Sequence, residues 1–201
     1  MSVMNPVSTS HTPEDLLNSR DYRLCELING KLVEKSVSVK SIWIATNLSR
    51  ELQNVVMPAG LGWVLVEQPV VCFPWNPNHG RRPDVCFISK AKLPGPDLPD
   101  GNLLIAPDLV AEVVSPTENV FELDSKIEDY QRVGVRVVWV INSQIRTVRC
   151  HTVDGSIKLF RHTDTVTADD VIPGLAVEVA KLFPTIPVPA PIAPLTGPQA
   201  G

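Results

Sequence analysis

Residues 81–90 read RRPDVCFISK, residues 106–116 read APDLVAEVVSP and residues 117–134 read TENVFELDSKIEDYQRVG; the rest of the chain is arranged around these three segments. The first two are apolar, β-branched runs with the composition of buried strands. Each is interrupted by one carboxylate, Asp84 before Val-Cys-Phe-Ile and Glu112 inside Leu-Val-Ala-Glu-Val-Val. An ionised carboxylate in an apolar strand is costly unless it is paired, protonated or bound to a cation. Two such strands side by side would bring two carboxylates together, and a hard divalent ion such as Mg²⁺ relieves their repulsion most simply. The third segment has Glu118 and Glu122 near its start, Arg132 in its last turn and Gly134 as a stop, which predicts a helix over residues 118–133.

Upstream, Thr12-Pro13-Glu14-Asp15 supplies an N-cap, a proline at the first helical position and acids in the first turn, so a short helix is expected to about Arg20 after a disordered start over residues 1–11. YRLCELINGKLVEKS (22–36) is two alternating runs joined by Asn29-Gly30, the turn chemistry of a two-residue hairpin. Residues 38–56 place Val39, Ile42, Trp43, Leu48, Leu52 and Val55 at helical spacing, predicting an amphipathic helix that covers the sheet. GWVLVEQPVVCF (62–73) reads as a strand pair or one bent strand, with Pro69 at a bulge or edge. VRVVWVIN (135–142) is a buried strand, and TVRCHTV pairs with SIKLFRH around Asp154-Gly155. DVIPGLAVEVAKLF (170–183) adds an edge strand or short helix. From Pro184 onward six of eighteen residues are proline, which predicts a disordered or extended tail over 184–201 without chemistry. The expected class is α/β, a single domain over 12–183 with a central mixed sheet flanked by the helices at 38–56 and 118–133.

With 201 residues, 44% hydrophobic, the chain can bury one sizeable core. A net charge of −4 argues against a broad basic surface, so any DNA contact must be local. Cys25, Cys72, Cys86 and Cys150 form no CxxC pair and read as reduced thiols, which suits the cytoplasm. No run approaches the length of a membrane span, and no secretion signal is apparent. The histidines show no ligand spacing and read as surface residues.

Carboxylates on neighbouring strands can hold Mg²⁺ or Mn²⁺, which activates a bound water and neutralises charge on a phosphate; a lysine nearby would complete a phosphodiester-cleaving site. The order RPDVCF, PDLVAEVVSP, Lys126-x-x-x-Tyr130, GVRVVWVI and IPGL…LF resembles the Uma-two family of restriction endonuclease-like proteins, within the PD-(D/E)xK nuclease superfamily. The likeness covers residues 12–183 and implies a restriction-endonuclease-like fold. It implies Asp84 and Glu112 as metal ligands and Glu26 as an added ligand or positioning group. The superfamily's lysine is expected two residues after the Glu, where this chain has Val114; the family pattern implies Lys126, from the following helix, instead.

Each residue has a structural alternative. Asp84 could cap a turn after Pro83, and Glu112 could pair with a structural Arg or Lys. Lys126 could pair with Glu122 one turn earlier, and Glu26 could face solvent on the hairpin. Arg81 and Arg82 could supply charge for DNA or pair with the acids. The expected function is Mg²⁺-dependent DNA endonuclease activity, with a homodimer where both strands are cut. A catalytically inactive interaction module of the same fold, or action on RNA, are the alternatives.

Overall fold

Asn29 and Gly30 take φ of +53° and +76°, the left-handed pair that a tight hairpin turn requires. They join β1 (Cys25–Ile28) to β2 (Lys31–Glu34) in antiparallel register, with Glu26 opposite Val33. This computed structural model describes residues 10–18, 24–114 and 119–184. A single helical turn, α1 (Asp15–Asn18), precedes the hairpin, and α2 (Val39–Val56) follows it. A reciprocal capping box between Ser38 and Ser41 starts α2, satisfying backbone N–H groups that the first turn leaves unpaired.

Next come β3 (Gly62–Val66), β4 (Val85–Ser89) and β5 (Leu109–Val114), then α3 (Val120–Arg132), capped by the Asn119 side chain on the Phe121 N–H. They are followed by β6 (Val137–Asn142), β7 (Thr147–Thr152) and β8 (Ile157–Phe160). These six strands form one mixed sheet in the order β3-β4-β5-β6-β7-β8. Only β5 and β6 run parallel, and α3 is the crossover between them. A small antiparallel pair, β9 (Thr165–Thr167) with β10 (Ala176–Glu178), leads into α4 (Val179–Leu182).

Strand alternation divides the core. On one face Val85, Phe87, Ala111, Val113, Trp139 and Ile141 pack with Ile44, Leu48, Leu52 and Val56 of α2. On the other, Cys86, Val110, Val138 and Val140 pack with Leu123, Ile127 and Tyr130 of α3. Val85 lies opposite Ala111, so the same antiparallel register continued by one residue sets Asp84 opposite Glu112 on the α3 side.

Several expectations need correction. On α2 the core stripe is Ile44, Ala45, Leu48, Leu52 and Val56, whereas Val39, Ile42 and Trp43 are 87%, 56% and 49% exposed. Two apolar sets compete for the sheet side of this helix, and the one that continues through Leu48, Leu52 and Val56 to its C-terminal end wins. The stretch 62–73 is not one strand: β3 stops at Val66 because Glu67 turns to φ +52°, and Val70 makes only isolated bridges to Arg81 and Leu103. His79 and His151 are buried, not surface residues. The disordered start and tail expected from the sequence fall almost wholly on residues 1–9 and 185–201, which lie outside the described set.

Candidate active site

Glu26 on β1 is 3% exposed and is held from two sides. Its Oε1 accepts the Arg82 backbone N–H at 3.1 Å and its Oε2 accepts Arg81 Nη1 at 3.1 Å. The hairpin is brought there by a reciprocal backbone pair between Leu27 and Gly80. Arg81 reaches on to α3, donating from Nε to Asp129 Oδ2 at 2.7 Å and from Nη2 to Ser125 Oγ at 3.0 Å. The Asp129 oxygen also meets His79 Nε2 at 2.9 Å. Arg82 donates to the backbone carbonyls of Cys25 and Glu67. Both arginines are therefore spent on stapling the hairpin to β4 and, through Arg81, to α3; they are buried and do not face solvent.

Asp84 sits where the chain enters β4. One carboxylate oxygen accepts the Val113 N–H and the other accepts Lys35 Nζ at 2.8 Å. Glu112, 2% exposed on β5, accepts the Tyr130 hydroxyl on Oε1 at 2.6 Å. Lys126 is buried rather than solvent-exposed, and its Nζ lies 3.8 Å from both Glu112 Oε2 and Glu26 Oε1. Lys126 and Tyr130 are one turn apart on α3, so one helix face carries both groups to Glu112. Burial pushes the Glu112 carboxyl up to about 7, with Asp84 and Glu26 adding to the rise against the pull of Lys126 and Lys35. Tyr130 is raised well above an ordinary phenol by burial and by the Glu112 and Glu26 carboxylates, so it remains a donor.

Glu26, Asp84, Glu112 and Lys126 all border one cavity of about 320 Å³. Its described charged lining is Glu26, Glu34, Asp84, Glu112 and Glu122 against Lys35, Arg81 and Lys126, five acids and three bases. Such a wall repels phosphate unless a further cation joins it. Among the described residues no three His, Cys, Asp or Glu side chains are gathered into a finished cation cage. Mg²⁺ does not need one: it binds through one or two carboxylates and keeps several waters. A carboxyl raised by burial and, beyond that, by the acidic neighbours Asp84 and Glu26 is donor chemistry that such an ion satisfies, and Asp84 with Glu112 would hold it.

Sequence reasoning brought Glu26, Asp84, Glu112 and Lys126 into view but missed Lys35, Glu67 and the Asp129–His79 support behind Arg81. Lys35 is 49 positions from Asp84 and 32 from Glu67, and no local pattern encodes such a pairing. Tyr130 is legible in the sequence as the i+4 neighbour of Lys126, with packing as its expected role; the structure adds its hydrogen bond to Glu112.

Residues 14–180 match the Uma2 family, described as "Putative restriction endonuclease". The chain belongs to the Uma2 family. Among solved structures, "a putative nuclease belonging to DUF820 from Anabaena variabilis ATCC 29413" superposes on this Uma2 chain with a TM-score of 0.67 at 21% identity, covering 79% of this chain and 89% of that one. At that identity the likeness establishes the fold alone: the six-stranded mixed sheet with flanking helices is shared with that protein. The curated proteins contain no match to it. The family is thus one described as putative restriction endonucleases, and the fold is the one shared with that solved structure.

Proposed function

We propose that this Uma2 protein is a divalent-metal-dependent DNA endonuclease whose ion, Mg²⁺ or Mn²⁺, is held by Asp84 and Glu112. The observation that carries the reading is the convergence of these two carboxylates, opposite each other across β4 and β5, on a cavity shared with Lys126. When bound, the ion supplies a nucleophilic water at neutral pH and charge neutralisation at the phosphate. The chain's own groups do the rest. Lys126, between Glu112 and Glu26, offers positive charge at the cavity wall for the phosphate. Tyr130 fixes the orientation of Glu112, and the Arg81–Asp129 pair fixes Glu26.

Supercoiled plasmid tests this. Purified protein with Mn²⁺ or Mg²⁺ is expected to nick it, EDTA to stop nicking, and Asp84→Ala to reduce it by at least 100-fold. No nicking by wild type, or undiminished nicking by Asp84→Ala, overturns the reading. A second reading, an inactive interaction module on the same fold, draws support from the Lys35 ammonium seated on Asp84 and from the acid excess of the lining. It predicts no cleavage of DNA or RNA with any metal.

A further inference from the structure

Lys35 lies just past β2, and its side chain is 6% exposed. Its ammonium donates to Asp84 Oδ1 at 2.8 Å, to the Arg82 carbonyl at 2.6 Å and to Glu67 Oε2 at 3.0 Å, so each of its three protons has an acceptor. Burial alone would lower the amine's pKa; Asp84, Glu112 and Glu67 outweigh it and raise the amine above an ordinary lysine. The two carboxylates that Lys35 bridges differ in setting. The Asp84 side chain faces the cavity and is 12% exposed, whereas that of Glu67 is 31% exposed. Glu67 also holds a φ of +52°, uncommon for a residue with a Cβ, and in that conformation its carboxylate reaches Lys35.

We propose that Lys35 is a built-in counter-cation of the site: it neutralises Asp84 until a divalent ion takes that carboxylate, and it then rests on Glu67. This builds on the metal-dependent reading above. An ammonium and a divalent ion repel at the distances at which both would share one carboxylate oxygen, so one must leave. Lys35 has a second carboxylate and the Arg82 carbonyl already in contact, so the shift gives up only its bond to Asp84. Lys35 is thus a positioning residue, and it lowers metal affinity in proportion to its hold on Asp84.

Isothermal titration with Mn²⁺ on wild type, Lys35→Met, Glu67→Gln and the double variant tests this as a cycle. Lys35→Met is expected to bind at least tenfold more tightly than wild type. Glu67→Gln, which leaves the ammonium only Asp84 as a carboxylate partner, is expected to bind at least threefold more weakly. In the double variant Glu67→Gln should have no further effect, because Glu67 acts through Lys35. If the Glu67→Gln loss persists without Lys35, Glu67 acts only as a nearby charge and the proposal is overturned; it is equally overturned if Lys35→Met binds no more tightly. Absence of binding by wild type and all variants would defeat the metal-dependent reading itself and this proposal with it. Should Lys35→Met not fold, ¹⁵N-lysine NMR on the wild type gives the same decision: a protected ammonium signal that shifts on adding Mg²⁺ supports the handover, and an unchanged one overturns it.

Discussion

Glu112 carries the electrostatic consequence of the site that falls within the accessible pH range. A glutamate titrates near 4.5 in the unfolded chain, and burial pushes this one up to about 7 in the folded protein. Between those values the folded state holds the proton that the unfolded state has lost. The contribution is complete below pH 4.5 and disappears as pH rises through 7, so stability falls across that window. The shift corresponds to at most roughly 3 kcal/mol. Denaturant titrations in EDTA between pH 4.5 and 7.5 should show a steeper decline for wild type than for Glu112→Gln; parallel declines would contradict the assignment. Removing the Tyr130 hydroxyl leaves Glu112 Oε1 without its donor in a fully buried place. Tyr130→Phe is therefore expected to cost about 1–3 kcal/mol in urea unfolding, and a loss well under that range would mean that a substitute donor is at hand. Asp84 and Glu112 were legible from sequence because each conflicts with its own neighbours. Lys35 was not, because the groups that justify its burial come from distant strands and a distant turn.

The secondary structure shows the same division. The β1–β2 hairpin, α3 and the β7–β8 hairpin were readable from turn and cap residues, since Asn29-Gly30, Gly134 and Asp154-Gly155 specify backbone geometry locally. The face that α2 presents was not, because Val39, Ile42 and Trp43 are as apolar as the residues that won. Leu48 is fully buried against the sheet while Ile42 is 56% exposed. Leu48→Ala should cost about 2–5 kcal/mol and Ile42→Ala no more than about 0.5 kcal/mol, measured by chemical denaturation. Comparable losses would mean that the helix is rotated on the sheet. Of the strand pair or bent strand expected over 62–73 only β3 forms, ended by the left-handed backbone of Glu67, whose side chain turns to Lys35.

The protein carries a net charge of −4, and its cavity has more acids than bases, so it has little electrostatic reason to hold DNA without a metal. In a gel-shift assay, duplex DNA should be retained with Ca²⁺ and released in EDTA, and retention should weaken on raising the salt; equal retention in EDTA would place DNA on another surface. Everything from the plasmid assay to the Lys35 handover depends on one ion site. A crystal soaked in Mn²⁺ and measured at the manganese absorption edge locates it. An anomalous peak is expected about 2.0–2.3 Å from carboxylate oxygens of both Asp84 and Glu112, with Lys35 turned to Glu67. A cavity without such a peak at saturating Mn²⁺, or a peak bound elsewhere while Lys35 stays on Asp84, would contradict the metal-dependent reading.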